Sequence, residues 1–257
     1  LIMAELVNEL AGKVAIVTGS ARNIGRTTAE ELARAGASLV INAVQAEELC
    51  TEVATGIRTA GGKAIPVMAD CSDPDDIERL AQAAIAEFGG IDILVHNAAQ
   101  RQRKSFDELT REDFMKVIDL SILGCFHLAK ACVPSMRERG GGAIIGVGGL
   151  NSYLGQKGRS HLMVAKAGLN QYIRGLALDL AEDGITANQV VVGPYDTRDP
   201  DSPMTKGQIA ARVAGIPVQR EGLPQDMADL IRFLVGPGGR FITGQTIHSN
   251  GGAFMNP

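Results

Sequence analysis

A turn at residues 18–25 contains the residue types best suited to binding a phosphate. The run Thr18-Gly19-Ser20-Ala21-Arg22-Asn23-Ile24-Gly25 follows an apolar β-branched stretch and leads directly into an amphipathic one. Glycines where a strand meets a helix let backbone N–H groups approach a pyrophosphate, which the helix dipole also attracts. Asn23 stands between the two glycines, and asparagine tolerates left-handed backbone better than most residues. The sequence therefore predicts a dinucleotide site at this turn.

Residues near the ribose end of such a site predict which dinucleotide binds. A carboxylate after the second strand binds the NAD ribose, whereas a cation binds the 2′-phosphate of NADP. The second predicted strand ends Ile41-Asn42-Ala43-Val44, so Ala43 stands where the acid is expected, and Arg22 offers a cation. These residues favour NADP(H). NAD stays open, because Val44 supplies no second base.

The elements that must position this turn follow from an alternation of short β-branched runs with longer amphipathic stretches. This pattern is typical of βα units around a parallel sheet. Strands are predicted at 13–18, 38–43, 63–68, 91–96, 143–147, 187–192 and 246–248. Helices are predicted to start near Ile24, Ala46, Pro74, Thr110, Ser160 and Pro224. The expected fold is α/β: a single doubly wound Rossmann-type domain over 1–257, with a seven-stranded mainly parallel sheet, helices on both faces and a substrate lid at about 195–220.

The composition and charge of the chain argue against several classes of binding partner. The 257 residues are 45% hydrophobic, and 25 bases against 29 acids give a net charge of −4 without a basic stripe for nucleic acid. No continuous apolar stretch approaches the roughly 18 residues of a membrane span. No secretory signal is visible. No CxxC pair is formed by the four cysteines, Cys50, Cys71, Cys125 and Cys132. We expect a cytoplasmic protein that acts on a small molecule.

Segments along nearly the whole chain match, in order, the motifs of one enzyme family. They are the opening strand and turn at 12–25, Asp70-Cys71, His96-Asn97-Ala98-Ala99, Val192-Gly193-Pro194-Tyr195-Asp196-Thr197 and Gly244-Gln245. In this order they resemble the short-chain dehydrogenase/reductase family, whose motifs read TGxxxGxG, NNAG and PGxxxT. The departures are Asn23 at the middle glycine, His96 and Ala99 in NNAG, and Val192 at the proline.

The resemblance implies an NAD(P)-dependent oxidoreductase. It places the cofactor at Gly19, Ala21, Arg22, Asn23, Ile24, Gly25, Asp70, Cys71, Asn97, Ala98, Lys166, Val192, Gly193 and Thr197. It also implies pairing through the two long helices, at 110–139 and 160–182, into a homodimer or homotetramer.

The family's proton relay is the part that this sequence does not match. A family reductase donates a proton from the tyrosine of YxxxK, whose lysine lowers the tyrosine pKa and holds the nicotinamide ribose. Lys166 resembles that lysine, but Leu162 stands at the tyrosine position, Gly149 at the serine and Ser121 at the asparagine. Leucine has no proton to give, so the usual mechanism does not carry over.

Other residues are candidates for the missing acid. Tyr153 lies in the loop after the fifth predicted strand, His161 is five residues before Lys166, and Tyr195 lies beside the expected nicotinamide clamp. Water is a fourth candidate. Relatives that reduce the double bonds of enoyl or dienoyl thioesters also place their tyrosine elsewhere. The catalytic candidates are therefore Lys166, Tyr153, His161 and Ser121, and no HxxxH or CxxC spacing predicts a metal site.

Three hypotheses remain open from the sequence. The first is an atypical NADP(H)-dependent oxidoreductase that reduces a carbonyl, an imine or an activated alkene with a non-standard proton donor. The second is an enzyme with ordinary substrates and poor turnover. The third is a nucleotide-binding or scaffold protein that kept the fold and lost the chemistry.

Overall fold

A seven-stranded parallel sheet forms the centre of the protein in the computed structural model, which describes residues 8–198 and 204–255. The strands are β1 (Val14–Val17), β2 (Ser38–Ala43), β3 (Lys63–Met68), β4 (Ile93–His96), β5 (Gly142–Gly149), β6 (Ile185–Val192) and β7 (Thr246–Ser249). Their order in the sheet is β3-β2-β1-β4-β5-β6-β7. The chain reverses direction across the sheet between β1 and β4, which is where doubly wound folds bind ligands.

Helices cover both faces of the sheet. They are α1 (Asn23–Arg34), α2 (Glu47–Thr59), α3 (Pro74–Phe88), α4 (Arg111–Ile118), α5 (Gly124–Glu138), α6 (Asn151–Leu154), α7 (Ser160–Asp179), α8 (Lys206–Val213) and α9 (Pro224–Val235). One apolar layer contains residues such as Leu32, Ile57 and Ile231. The other contains residues such as Leu80, Leu128 and Leu169. The predicted doubly wound Rossmann-type architecture is confirmed.

Local sequence signals explain where several helices begin. Asp73 accepts a hydrogen bond from the Asp75 N–H, and Pro74 occupies the first turn of α3. Thr110 and Asp113 form a reciprocal capping box at the start of α4. Each interaction satisfies a backbone N–H that a helix leaves unpaired.

The structure departs from the predicted elements in four places, besides shifts of one or two residues at the ends of other strands. The short helix α6 (Asn151–Leu154) contains Tyr153, which was expected in a loop. Strand β5 continues to Gly149 because Gly148 and Gly149 pair with the end of β6. A π-helical turn, Asp119–Leu123, joins α4 to α5. The expected lid at 195–220 contains the helix α8, and its residues 199–203 lie outside the described part of the chain.

The helical run Arg111–Glu138 is long and apolar enough to cross a membrane by length and composition alone. Its apolar residues are interspersed with polar ones, so the run contains no long continuous apolar stretch. Half of its most apolar window is buried in this fold. Its residues Cys125, Leu128 and Cys132 belong to the apolar layer on one face of the sheet, so the run serves here as a core helix.

Candidate active site

The turn between β1 and α1 has the backbone geometry that a pyrophosphate requires. Gly19 and Asn23 both adopt left-handed conformations, with φ of 62° and 50°. A Cβ atom on Gly25 would lie 2.3 Å from the Gly19 carbonyl oxygen, so only glycine lets α1 start this close to the turn. No side chain caps α1 and no acid lies in its first turn. Its N-terminal N–H groups are therefore available to an anion.

Side-chain hydrogen bonds fix the turn against β4. The Asn97 amide donates to the carbonyl oxygens of Thr18 and Gly19, each at 3.0 Å. The Thr18 hydroxyl accepts from the N–H groups of Asn97 and Ala98, also at 3.0 Å. These contacts join the carboxyl ends of β1 and β4, where the dinucleotide site was predicted.

Asn42 is a second organising residue, and the sequence analysis did not identify it. Its side-chain oxygen accepts from the Gly19 N–H at 3.2 Å, and its amide donates to the carbonyls of Val67 and Ala69. Its own N–H donates to the Ser20 hydroxyl at 2.9 Å. The only signal in the sequence was a polar residue near the end of an apolar strand. Asn42 thus connects the turn with β2 and β3.

An open groove of about 620 Å³ runs over this turn. It is lined by Gly19, Arg22, Asn23, Ile24, Gly25, Leu49, Asn97, Ala98, Ala99, Arg101, Thr197 and Arg198. No carboxylate is among these residues, and over the described part of the chain the exposed Arg22 side chain has no partner. The groove is therefore positively charged.

Three of the predicted cofactor residues, Ala21, Asp70 and Cys71, line neither this groove nor the cavity beside it. Ala21 is buried beneath the turn. Asp70 accepts hydrogen bonds from the N–H and hydroxyl of Ser72, and Cys71 is buried after β3. Burial raises the pKa of the Cys71 thiol to about 12, with a smaller contribution from the Asp70 carboxylate. That thiol is therefore protonated at neutral pH.

A second cavity, of about 470 Å³, continues from the groove toward α7. The two spaces share Ile24, Asn97, Ala99, Arg101 and Thr197. Among the predicted site residues, the cavity is also lined by Ser121, Lys166, Val192 and Gly193. A long ligand in the groove can therefore extend into the cavity that contains Lys166.

Lys166 is the cavity residue whose ionisation is most altered. Its Nζ donates to the Val147 carbonyl at 2.7 Å. Burial, together with the nearby Arg101 guanidinium, lowers the pKa of Lys166 to about 8. The side chain is therefore a cation at neutral pH that releases its proton easily.

The positions that lack the family's hydroxyl groups border the same cavity. Leu162 lies one helical turn before Lys166 on α7, and Gly149 lies at the end of β5. A Cβ atom on Gly149 would have no neighbour within 4 Å among the described residues. Ser121, in the π-helical turn, is buried and also lines the cavity. The cavity wall is apolar where a tyrosine and a serine were expected.

The three candidate acids lie in different surroundings. The Tyr153 hydroxyl accepts from the Asn170 amide at 3.1 Å, its ring contacts His248 and Phe254, and it does not line the cavity. His161 is buried in an adjoining depression beside Arg101. Tyr195 does line the cavity, but its hydroxyl shares a 2.5 Å hydrogen bond with Ser249. Burial raises the pKa of Tyr195.

His96 lies beneath the site, at the end of β4, and is fully buried. Its Nδ1 is 3.5 Å from the Thr18 hydroxyl. Burial and the Lys166 cation lower the pKa of His96 to about 3, so the ring is neutral at physiological pH.

The segment after β6 closes one side of the cavity. Thr197 accepts a hydrogen bond from Arg101 at 3.3 Å. Arg212 of α8 donates to the Tyr195 carbonyl at 3.0 Å, and its Nε lies 2.7 Å from the Glu221 carboxylate. These contacts attach the described part of the expected lid to the loop after β4 and to the segment at Glu221.

Arginines form the part of the cavity that sequence reasoning missed. Arg101, Arg103, Arg159 and Arg212 all line it, and no carboxylate does. A signal was present, because Arg101, Arg103 and Lys104 follow the carboxyl end of β4 closely.

Comparison with protein families and curated relatives gives consistent results. A family model described as enoyl-(acyl carrier protein) reductase matches residues 19–253. The 3-oxoacyl-[acyl-carrier-protein] reductase FabG of Vibrio cholerae is 34% identical over 246 residues, covering 96% of this chain and 99% of the relative. The L-rhamnose 1-dehydrogenase (NAD(P)(+)) of Azotobacter vinelandii is 35% identical over 252 residues, covering 96% and 98%.

Solved structures show the same similarity. A dehydrogenase/reductase from Sinorhizobium meliloti superposes with a TM-score of 0.90 at 34% identity, covering 98% of this chain and all of that one. A blue fluorescent protein from a metagenomic library, in complex with NADPH, has a TM-score of 0.88 at 32% identity and covers 96% of this chain.

Proposed function

Because the chain belongs to the short-chain dehydrogenase/reductase family, we propose that it is an NADP(H)-dependent oxidoreductase that reduces a carbonyl, an imine or an activated alkene. The observation that carries this proposal is the continuity of the groove with the Lys166 cavity. A dinucleotide whose pyrophosphate lies at the turn would extend its nicotinamide end toward Lys166. The NADPH complex of the metagenomic relative supports this choice of cofactor.

Arg22 is the residue we propose for recognition of the 2′-phosphate. It is exposed at the groove, and the backbone of Ser20 is bonded to that of Asn42, so the turn adjoins the end of β2. Ala43 contributes no competing carboxylate there. A guanidinium binds phosphate through several charge-assisted hydrogen bonds.

Lys166 is the proton donor in this proposal. When bound, NADPH supplies the hydride to the acceptor carbon. The Lys166 ammonium donates its proton to the neighbouring oxygen, nitrogen or carbon of the acceptor, and is then reprotonated from water. An acid with a pKa of about 8 is well matched to this task at neutral pH. The apolar Leu162 beside it helps to keep the ammonium pKa low.

Calorimetric titration of the protein with NADPH and, separately, NADH tests the cofactor assignment. We expect NADPH to bind more tightly, and Arg22→Ala to weaken NADPH binding by roughly tenfold to a hundredfold while leaving NADH binding unchanged. Arg111→Ala is the control, since Arg111 is an exposed arginine outside the groove. Failure of both nucleotides to bind would leave the scaffold hypothesis in place of an enzyme.

Self-association is a further part of the proposal. Large apolar side chains are exposed on α5, on α7 and on the π-helical turn between α4 and α5: Leu123, Phe126, Val164 and Leu178. These elements lie within the two helical segments through which family members were expected to pair. Sedimentation is expected to show a dimer or tetramer, and a 27.0 kDa species would reject this part.

A further inference from the structure

The cavity beside Lys166 holds more positive charge than the proposed cofactor needs. Arg101 also borders the groove, but Arg103 and Arg159 line only the cavity. Within the described residues, Arg103 and Arg159 have no hydrogen bond or ion pair through their side chains, and Arg101 contacts only the Thr197 hydroxyl. Three guanidinium groups thus share one cavity without a protein anion.

Arg159 shows the strongest sign of an absent partner. Its Nε is buried and finds no hydrogen-bond partner among the described residues. Burial lowers the pKa of Arg159, and the Arg103 and Arg101 cations lower it further. A buried donor without an acceptor is costly, and an oxyanion in the cavity would supply the missing acceptor.

The structure holds these arginines in place by a specific contact between two loops. The Lys104 N–H donates to the Gly158 carbonyl at 3.0 Å, which joins the loop of Arg101 and Arg103 to that of Arg159. Lys104 also forms a 2.6 Å ion pair with Asp113, which anchors the first loop to α4. The Asp113 carboxylate is therefore paired with a lysine and not with one of these arginines.

Two acids on the surrounding elements also have partners of their own. Glu108 accepts hydrogen bonds from Ser105, and Glu221 pairs with Arg198 and Arg212 on the other side of the cavity. Neither carboxylate lines the cavity. No acid of the cavity lining therefore neutralises the arginine cluster, and an anionic ligand could do so.

We infer that the acceptor carries an oxyanion group, a carboxylate or a phosphate, which Arg103 and Arg159 bind beside the carbon that is reduced. This inference rests on the proposed function and specifies its substrate class. The planar guanidinium fork matches both kinds of oxyanion. Arg103, Arg159 and Lys166 line the same cavity of about 470 Å³, so one small molecule can present its anion to the arginines and its reacting group to Lys166.

Two matched probe pairs test the inference by binding as well as by turnover. Acetoacetate is compared with its methyl ester, and dihydroxyacetone phosphate with dihydroxyacetone, on protein saturated with NADP⁺ for calorimetry and with NADPH for kcat/KM. We expect at least one charged probe to bind roughly tenfold to a hundredfold more tightly than its neutral partner. The preferred charged probe distinguishes a carboxylate from a phosphate.

Substitutions of the arginines test which side chains bind the charged probe. Arg159→Gln and Arg103→Gln are each expected to remove the advantage of the charged probe while leaving the NADPH Kd unchanged, and Arg159→Lys is expected to restore part of it. Arg111→Gln, which changes an exposed arginine outside the cavity, should behave as the parent protein. Circular dichroism confirms that each variant is folded.

The outcomes separate this inference from the proposed function. Equal binding of charged and neutral probes, no binding of either charged probe, or a loss of NADPH affinity in Arg159→Gln would each overturn the inference. Binding of a charged probe through Arg159 without any NADPH oxidation would instead leave the anion site standing and count against these ketones as acceptors, and failure of NADPH itself to bind would refute the proposed function.

Discussion

The dinucleotide groove and the cavity around Lys166 adjoin each other, yet they depart from the family pattern to very different degrees. The groove depends mainly on backbone: the left-handed Gly19, the close approach at Gly25 and the amide of Asn97 bonded to two carbonyls. The cavity depends on the ends of side chains, and by the motif spacing Leu162 and Gly149 are predicted to stand where the family has two of them. Chemistry carried by side chains can change while the backbone that holds a cofactor stays the same.

Gly25→Ala is expected to have the largest effect of the variants that probe this contrast. The added methyl group would lie 2.3 Å from the Gly19 carbonyl oxygen and 2.6 Å from the Asn97 amide, so the turn must open. We expect calorimetry to show no NADPH binding. Gly56→Ala in α2 is the matched control, since its Cβ meets no described atom within 4 Å and alanine should stabilise that helix by about 0.5–1 kcal/mol.

Retained NADPH affinity in Gly25→Ala would contradict this view of the groove. It would mean that the turn adjusts freely, and that the backbone constraint is weaker than the contact distances indicate.

Lys166 variants test whether the cavity retains an acid of its own. Lys166→Met should lower kcat by roughly 10²–10⁴, the usual contribution of a general acid. For the parent protein, kcat/KM should be constant below about pH 8 and fall above it. The pKa of the Lys166 ammonium is lowered to about 8, and this protonated form, which donates the proton, is lost as the pH rises.

Lys166→Arg provides the control for charge. A guanidinium keeps the cation but does not release its proton in this pH range, so we expect low activity without the decline above pH 8. Parental activity in this variant would show that Lys166 positions the ligands and that the proton comes from another group.

A double variant that introduces the family's tyrosine and serine tests whether the cavity can again donate a proton to an acceptor beside a cofactor bound in the groove. In Leu162→Tyr, Gly149→Ser the new tyrosine would stand one turn before Lys166, and the serine would enter open space. We expect kcat/KM for a neutral ketone to rise at least roughly tenfold, since a positioned acid contributes that much or more. An unchanged rate, with NADPH binding intact, would count against the hypothesis that poor turnover results only from the lost acid.

Ala43→Asp is expected to have the smallest effect. A carboxylate at the end of β2 would repel the 2′-phosphate and bind the ribose of NAD, so NADPH affinity should fall by roughly tenfold and NADH affinity should rise. Parallel titrations with both nucleotides measure the change. Equal loss of both affinities would indicate a disturbed fold and would not support charge selection.

Much of the fold followed from the sequence because its signals are local. The bounds of β2 and β3 agree with the prediction, since each is a β-branched run that ends at polar or small residues. The extension of β5 to Gly149 was missed because two glycines have low strand propensity and are held there by pairing with β6. The π-helical turn was missed because apolar spacing alone does not distinguish it from an α-helix.

The residues of the site fall into the same two groups, those predicted from local motifs and those whose role depends on distant contacts. Gly19, Asn23, Gly25 and Lys166 were predicted from short motifs, which are read from neighbouring residues. Asn42 was not, because its importance arises from bonds to β3 and to the turn, both distant in the chain. Where the side chains of Tyr153 and Tyr195 point was equally undecided, since the direction of a side chain in a short connection between elements depends on its packing against distant residues.

By itself the sequence determined the order of strands and helices, the phosphate turn and the absence of a tyrosine one turn before Lys166, because each of these depends on residues close together in the chain. Only the tertiary structure brought Arg103 and Arg159 into one cavity. Their meeting requires β4 and β5 to be neighbours and the Lys104–Gly158 hydrogen bond to join two loops. Charge clusters of this kind arise from long-range contacts, which no local pattern of residues encodes.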